Sequence, residues 1–409
     1  MMKKKWADFL GKSVEAAFLT GIFVLPFSKA LLEICLTITF VLWFLMKLIQ
    51  KENLYKDQTL FFLVGSFTII SSISGFYSGY PLLSALGIIK LIKYSLVMLI
   101  AAETFRDRTK VKHLILVSCI SFFGVVLDSV YQYFIGKDLI AGFEVYHSNL
   151  QIRLTGPFES YGLLAAYLLI LIPVITAIVI GTNKNELAGW KKFLLAFFLV
   201  LGFLVFFKTH SRGAWIAFAG GALICASLLR KKWIFSLIII SLFVAPFVLP
   251  KNVLVHRDVQ QKEQSLKERY QLWRRAWDVI KSQPFFGCGI NTYVKNYSKF
   301  DTKKHWRVPG YYVHNGYLQL AAETGLIALG LFLGLLFLAL KVGVDMFKKT
   351  VGARKFLLAG LITGATALLF QAVIDTTLHN LQSAYLIWLS IGLLFASSDF
   401  RKKQTHERN

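Results

Sequence analysis

Apolar runs of about 20 residues recur along this chain and constrain its fold more than any other feature. A segment of that length crosses a bilayer as a helix, because a helix satisfies its own backbone polar groups in lipid. The hydrophobic fraction of 56% and the 36 Phe residues agree with a membrane protein rather than a soluble one. We therefore predict an all-α polytopic membrane helix bundle of about twelve transmembrane helices that forms one integral membrane domain over residues 1–409.

Short turns or charged connections separate the predicted spans. The spans cover about 14–30, 31–49, 59–77, 82–102, 112–135, 160–181, 192–208, 212–229, 233–250, 314–340, 355–375 and 380–398. Little more than the turn from Pro26 to Lys29 divides the first two. No cleavable signal peptide is expected, because the first apolar run leads straight into another.

The formal net charge of +24 predicts how the chain is oriented in the membrane. Lys and Arg are concentrated in every second connection, from the N-terminal lysines to the tail between Arg401 and Arg408. The short opposite connections carry few of them, which matches the positive-inside rule and predicts both termini in the cytoplasm. Because the charge follows the membrane connections, it does not indicate a nucleic-acid partner.

One long polar segment, about residues 250–313, interrupts the apolar runs and contains 13 Lys and Arg against 5 Asp and Glu. Long translocated loops are exempt from the positive-inside rule, so we expect a periplasmic loop. Within it, apolar positions at spacings of four, three, four and three predict an amphipathic helix at about 259–282, ended by Pro284. These positions are Leu266, Tyr270, Trp273, Trp277 and Ile280. The stripe suits the membrane interface or packing on the bundle, and we expect Trp273 and Trp277 to pack.

The four cysteines indicate neither a disulfide framework nor a metal site. Cys35, Cys119 and Cys225 lie in predicted spans, and Cys288 is alone in the long loop. No Cys/His pair has the spacing of zinc ligands. We therefore expect no metal ion and no cofactor.

Three arginines are candidates for binding an anion. Arg212 begins a span after an outward turn, where it serves either as an interfacial anchor or as a bidentate donor to phosphate oxygens. Arg153 precedes the sixth span on the side of the long loop, and a loop arginine is most often simply solvated. Arg269 lies beside the aromatic stripe of the amphipathic helix, and its spacing alone does not assign it a role.

Aromatic, amide and titratable side chains cluster at the end of the long loop. Tyr312 and Asn315 suit carbohydrate binding, although such residues also form ordinary interfacial belts. His314 opens the tenth span, as a satisfied polar residue or as a proton acceptor near neutral pH. Asp375 and His379 lie at the outer junction of the last two spans, where either can line the same site.

Two lysines are predicted deep inside the fourth span, where charge is costly. Lys90 and Lys93 either pair with an acidic residue or, for Lys90, hold an anionic lipid headgroup. The acidic partners considered are Asp128, Glu33 and Glu323. Glu323 lies nine residues after His314, roughly on the opposite helix face, and is not expected to orient it directly.

Three motifs together resemble the O-antigen ligase and polymerase superfamily. They are Thr-His-Ser-Arg-Gly-Ala-Trp around Arg212, Glu-Arg-Tyr-Gln-Leu-Trp with Ser-Gln-Pro-Phe-Phe-Gly-Cys-Gly around and after Arg269, and Val-His-Asn-Gly-Tyr-Leu-Gln-Leu-Ala-Ala-Glu-Thr-Gly around His314. By motif the resemblance covers roughly residues 150–340, and by span layout it covers the whole chain. It is closest to O-antigen ligases, because a single large loop lies late in the chain.

The resemblance implies a GT-C-like enzyme of the bacterial inner membrane. Such an enzyme transfers a glycan from an undecaprenyl-diphosphate carrier to the lipid A core oligosaccharide, on the periplasmic side and without a metal. Carried over by motif, Arg212 and Arg269 would hold the diphosphate and His314 would activate the acceptor hydroxyl. Lys90, Arg153 and Asp375 would be further substrate contacts.

Three alternatives remain open. A polymerase would use a growing O-antigen or exopolysaccharide glycan as its acceptor, and a protein O-oligosaccharyltransferase would use a Ser or Thr. A lipid-linked sugar flippase would share the intramembrane charges, but such transporters usually contain pseudo-symmetric repeats, which this sequence does not display.

Overall fold

A computed structural model describes residues 2–50, 58–148, 151–183, 187–230, 259–299 and 312–399. Helices dominate these ranges, and the predicted all-α polytopic membrane fold is confirmed. Helices α1 to α8 are Met2–Val24, Lys29–Gln50, Gln58–Ile73, Pro81–Thr104, Arg108–Ile135, Tyr161–Gly181, Gly189–Lys208 and Arg212–Leu228. Helices α9 to α13 are Val259–Ser282, Tyr293–Asn296, Gly316–Lys349, Ala353–Ile374 and Leu381–Ala396.

Eight of the described helices are long and apolar enough to cross a membrane, namely α2 to α7, α11 and α12. Two shorter apolar helices, α8 and α13, fall on the eighth and twelfth predicted spans. The span predicted at 233–250 lies outside the described residues. The first predicted span falls on α1, but that helix ends at Val24 rather than near residue 30, because the hydroxyl of Ser28 accepts a hydrogen bond from Leu31 N and starts α2.

The connection between α5 and α6 contains the only strands among the described residues. Strand β1, Tyr146–Ser148, pairs antiparallel with β2, Gln151–Arg153, so Arg153 ends a hairpin rather than lying on the irregular loop that the sequence predicted. Gln132 on α5 secures this connection. Its amide nitrogen donates to Thr155 Oγ1 over 2.8 Å, and its oxygen accepts from Gly156 N over 2.8 Å.

Small residues let α12 pack closely between α6 and α8. A Cβ on Gly364 would lie 2.9 Å from the carbonyl oxygen of Ile170, and one on Gly221 would lie 2.7 Å from that of Thr363. Helices in membranes associate largely through such close backbone approach, since lipid supplies no hydrophobic drive between them. This packing fixes the position of the C-terminal end of α12, where the candidate site lies.

The face through which helix α9 packs coincides only in part with the predicted stripe. Ala276, Val279 and Ile280 are buried against the start of α11, whereas Trp277 is 47% exposed. Trp273 packs against the same cluster as expected, but the expectation for Trp277 was wrong. The small Ala276 allows close approach to α11 that an indole does not.

Two acidic residues neutralise lysines inside the spans. Lys93 Nζ lies 2.5 Å from a carboxylate oxygen of Glu33, one of the three partners considered from the sequence. Lys47 pairs with Glu103, which also accepts a hydrogen bond from Trp43 Nε1. Pairing of this kind is how charge is usually tolerated at such depth.

Helix α11 is interrupted at Gly325, where the chain after α9 inserts. Gly325 has φ 83° and ψ 172°, and Leu326 N donates to the carbonyl of Pro284 over 2.8 Å. Cys288 N and Gly289 N donate in turn to the carbonyls of Ala322 and Glu323. The loop therefore supplies hydrogen bonds that the helix loses at its break.

We predict that Gly325→Ala destabilises the protein more than any other Gly→Ala change in α11. The backbone at φ 83° disfavours a side chain by about 1–3 kcal/mol, and the new Cβ would lie 2.0 Å from the carbonyl oxygen of Phe285. Gly330→Ala is the matched control, because nothing lies within 4 Å of its Cβ position. Melting temperatures in detergent should fall for the first variant only, and equal values for both would contradict this account of the break.

Candidate active site

The ends of four helices meet at one end of the bundle. His314 precedes α11, Asp375 follows α12, and the first turns of α6 and α8 lie beside them. A Cβ on Gly162 of α6 would lie 3.4 Å from Asp375 Oδ2, and one on Gly213 of α8 would lie 3.0 Å from Ile374 Cδ1. These contacts bring the turn of Arg212 next to the residue that precedes Asp375.

His314 and Asp375 form a pair at this junction. His314 Nδ1 lies 3.6 Å from Asp375 Oδ1, and both side chains are partly exposed. The backbone joins them as well, since Gly316 N donates to the carbonyl of Asp375 over 3.1 Å. His314 has φ 52°, and Asn315 caps α11 by accepting hydrogen bonds from Tyr317 N and Leu318 N. The imidazole is thus held at a helix start beside a carboxylate.

The environment of Asp375 favours its ionised form. Burial raises the pKa of this carboxyl, but the nearby imidazole of His314, the hydrogen bond from Thr376 N and the positive charge of Arg269 outweigh it and lower the pKa overall. Asp375 is therefore a carboxylate at neutral pH. The influence of Arg269 also shows that α9 brings its exposed arginine close to the pair.

Basic side chains surround His210 in the turn between α7 and α8. Burial lowers the pKa of His210, and the charges of Arg153, Lys208 and Arg212 lower it further. The hairpin joins this turn through Leu154 N, which donates to the carbonyl of Lys208 over 3.1 Å. We call His210 with these three cations the cationic turn. It attracts anions, because three positive charges converge there around a neutral imidazole.

Aromatic rings hold two of these cations. The Arg153 guanidinium lies 4.9 Å from the ring centre of Tyr161, and Lys208 Nζ lies 4.8 Å from that of Tyr133. Arg153 Nε is buried, and no described residue accepts a hydrogen bond from it. A buried donor without an acceptor is costly, so a bound anion would stabilise this position.

A buried carboxylate lies behind the pair. Glu323 is 3% exposed and accepts hydrogen bonds from Asn291 N and from Gln319 Nε2, over 2.8 and 3.3 Å. His379 Nε2 lies 3.3 Å from the same carboxylate, and the ring of Tyr312 lies 6.0 Å from the His379 ring. His379 therefore contacts Glu323, while Asp375 is the residue of that connection that faces His314.

The structure brings together most, but not all, of the residues singled out from the sequence. His314, Asp375, Arg269, Arg212 and Arg153 gather at one end, and Asn315 and Tyr312 flank them. Lys90 is exposed on α4, and no hydrogen bond or ion pair joins it to these residues in the described part of the chain.

Sequence reasoning gave no role to His210 or Lys208. His210 belongs to the motif Thr-His-Ser-Arg-Gly-Ala-Trp around Arg212, and Lys208 directly precedes it, so the motif itself was the available signal. Their convergence with Arg153 depends on the hairpin, which the sequence did not predict. Across the described ranges, no group of three or more His, Cys, Asp or Glu side chains is arranged to hold a metal ion.

The fold and this junction define a multi-pass all-α membrane protein with a histidine–carboxylate pair beside a cationic turn. Residues 195–333 match the family model described as O-antigen ligase, which extends from α7 into α11 and includes Arg212, Arg269 and His314. The match supports the O-antigen ligase superfamily for this part of the chain and confirms the resemblance drawn from the motifs. No curated protein matches the chain.

We predict that His210 makes stability depend on pH. The pKa of His210 is lowered in the folded state. Below about pH 6.5 this imidazole therefore binds a proton in the unfolded chain that it does not bind in the folded protein. Its contribution to stability is complete above about pH 6.5 and is lost as pH falls through the lowered pKa. His210→Gln should therefore show a smaller fall in melting temperature between pH 7.5 and 5.5 than the unsubstituted protein.

The matched control is His147→Gln, which removes an exposed imidazole from β1. It should leave the pH dependence unchanged. An identical fall in the His210→Gln variant and the unsubstituted protein would show that this imidazole does not contribute.

Proposed function

We propose that this protein is a glycosyltransferase that moves an undecaprenyl-diphosphate-linked O-antigen glycan onto the lipid A core oligosaccharide in lipopolysaccharide assembly. The superfamily supports ligase or polymerase chemistry in general. The observation that carries the proposal is the position of the His314–Asp375 pair beside the cationic turn and Arg269. A proton acceptor and a diphosphate site are the two components that such a transfer needs.

Arg212 and Arg269 bind the carrier diphosphate, with Arg153 as a third donor. Guanidinium groups match phosphate oxygens in pairs, and the unaccepted Nε–H of Arg153 provides one further donor. Negative charge develops on the leaving diphosphate as its bond to the anomeric carbon breaks. Fixed cations stabilise that charge most strongly where water is scarce.

His314 acts as the general base. The Asp375 carboxylate favours the tautomer with its proton on Nδ1, which leaves the Nε2 lone pair for the acceptor hydroxyl. As Nε2 takes the hydroxyl proton, the acceptor oxygen bonds to the anomeric carbon and the diphosphate departs. The imidazolium then releases the proton to the aqueous phase.

The remaining candidate residues contact the sugars or the lipid. Tyr312, 43% exposed beside His379, offers a ring face to a glycan, and Asn315 retains its amide nitrogen after capping α11. Lys90 lies on the outside of α4, where it meets a lipid headgroup. No metal ion and no cofactor take part.

The decisive experiment is transfer by the purified protein in proteoliposomes, with the lipid-linked donor and alternative acceptors. New linkage to lipid A core defines a ligase, whereas extension of the donor glycan itself defines a polymerase. Linkage to a Ser/Thr peptide would define the protein O-oligosaccharyltransferase. Donor movement without any new linkage would overturn the enzymatic proposal in favour of a flippase. Activity should persist in EDTA, and its loss with rescue by Mg²⁺ or Mn²⁺ would exclude the metal-independent mechanism.

We predict that Arg212→Ala and Arg269→Ala each reduce transfer by about 10²- to 10³-fold while the protein still inserts. Lysine at either position should restore only part of the activity, because an ammonium lacks the planar fork. Arg274→Ala is the matched control, since Arg274 is an exposed arginine on the same helix as Arg269 and is expected to retain activity. Full activity in both lysine variants would show that net charge alone is needed.

We predict that His314→Ala and His314→Gln lose about 10²- to 10⁴-fold in transfer rate, with donor binding retained. Asp375→Asn should approach the loss of His314→Ala, because an amide leaves the ring in place but favours the tautomer with its proton on Nε2 and no longer stabilises the imidazolium. Rates are measured with saturating donor in proteoliposomes. A near-normal rate in either His314 variant would remove the base from the mechanism.

We predict that the candidate site faces the periplasm and that both termini face the cytoplasm. In a cysteine-free background, Lys281→Cys on α9 and Lys348→Cys at the end of α11 place exposed thiols at opposite ends of the bundle. An impermeant maleimide should label the first in intact spheroplasts and the second only after lysis. Labelling of both from one side would contradict the topology on which the site assignment depends.

A further inference from the structure

A cavity of about 160 Å³ lies inside the bundle, away from the candidate site. Helices α1, α5, α6, α12 and α13 surround it. Protein interiors are close-packed, and voids much larger than a water molecule are few. An apolar void of about 150 Å³ is large enough to take up a hydrophobic guest such as benzene. The apolar molecule available to a protein within a bilayer is a lipid chain.

The cavity has the length of one membrane leaflet. It extends along α5 from Arg108 to Ser121, a rise of about 20 Å, while half of the hydrocarbon core is about 15 Å thick. Aliphatic side chains from each of the surrounding helices form most of its walls. Examples are Leu114, Ile115, Ile170, Leu171, Leu361 and Leu389.

Most of the hydroxyl groups on these walls already donate hydrogen bonds within the protein. At the deep end, Tyr167 donates to Ser121 Oγ, and Ser121 donates to the carbonyl of Phe23. Ser390 and Thr350 donate to carbonyls of their own helices. They offer a guest little hydrogen bonding, so the walls select an apolar chain.

Two arginines line the end of the cavity at the first turns of α5 and α12. Arg108 begins α5 and is exposed, and Arg354 lies in the first turn of α12 and is half-buried. The neighbouring Asp107 uses a carboxylate oxygen to cap α5, accepting from Thr109 N over 2.7 Å. Basic pockets between membrane helices are suited to anionic lipid headgroups.

We propose that this cavity binds one anionic phospholipid, with its phosphate between Arg108 and Arg354 and an acyl chain along the groove toward Ser121. The geometry distinguishes this lipid from the carrier of the proposed reaction. Arg354 lies about 30 Å along α12 from Asp375, so one phosphate group cannot reach both ends. The proposal is independent of the transfer chemistry and holds for a ligase, a polymerase or a transporter.

The test measures lipid binding to the full-length protein in detergent by native mass spectrometry. Dioleoyl phosphatidylglycerol should bind with a stoichiometry of one and about 30-fold tighter than dioleoyl phosphatidylcholine, since each arginine near a headgroup contributes about fivefold. Inorganic phosphate and dihexanoyl phosphatidylglycerol separate the contribution of the headgroup from that of the chain. Neither should compete at the concentration at which the long-chain lipid saturates.

Paired variants test the headgroup site and the chain site separately. Arg108→Gln and Arg354→Gln should each weaken phosphatidylglycerol binding about fivefold, whereas Lys112→Gln, an exposed lysine one turn further along α5, should not. Ser118→Phe fills the cavity and should abolish binding of the long-chain lipid. Ile120→Phe is its control, because Ile120 is 48% exposed on the outside of the same helix.

Three results would overturn the proposal. They are equal binding of the two long-chain lipids, unchanged binding in the Arg108→Gln/Arg354→Gln double variant, and competition by undecaprenyl phosphate as effective as that by phosphatidylglycerol. If Ser118→Phe does not fold, the chain site is tested in the unsubstituted protein instead. A phosphatidylglycerol with a photoreactive group on its chain is bound, and the positions of its cross-links are mapped. Cross-links must then fall on cavity-lining residues of α1, α5, α6, α12 or α13, and cross-links confined to exposed faces would also refute the site.

Discussion

The buried carboxylate of Glu323 fixes the arrangement on which the candidate active site depends. A charge inside a membrane span is tolerated only when it is paired or hydrogen-bonded, and Glu323 finds its partners on three separate segments. Asn291 belongs to the chain after α9, Gln319 to α11 itself, and His379 to the connection between α12 and α13. Displacing any of these segments would leave a buried carboxylate short of partners, at a cost of several kcal/mol. The contacts with Glu323 therefore fix the positions of the three segments relative to one another.

The backbone connects this arrangement to the His314–Asp375 pair of the candidate site. Asp375 lies four residues before His379, and its carbonyl accepts from Gly316 N at the start of α11. Holding His379 against Glu323 thus restrains Asp375, and through it the ring of His314. The break at Gly325 belongs to the same arrangement, because the inserted loop supplies both Asn291 and the hydrogen bonds that α11 loses. A helix without the break would have no space for that loop, and the carboxylate would have fewer donors.

The sequence predicted what local pattern determines and missed what distant contacts determine. Nearly all of the described helices follow from apolar run length alone, and the amphipathic spacing placed a helix at about 259–282, where the structure has Val259–Ser282. The most hydrophobic stripe of that helix did not fully identify its buried face. The helix packs so closely on α11 that the small Ala276 lies at the contact and the large Trp277 does not. The contact between Glu323 and His379 spans 56 residues of sequence, so no local spacing indicates it. Motif resemblance singled out His314 and the arginines, but only the fold pairs the histidine with Asp375.

The cationic turn explains why the site end of the bundle is suited to a diphosphate rather than to a neutral sugar. Arg153, Lys208 and Arg212 repel one another, and the lowered pKa of His210 reflects that repulsion together with burial. Keeping His210 neutral limits the repulsion in the free protein. The diphosphate of the proposed donor would remove most of the remaining repulsion, because each phosphate charge would offset a positive one. Part of the binding energy is therefore relief of repulsion, which is screened by salt, whereas the aromatic contacts of Arg153 and Lys208 keep the cations in place without an anion. In the proposed reaction, the cationic turn would bind the charged part of the substrate while His314 and Asp375, on the neighbouring helix ends, act on the bond that breaks.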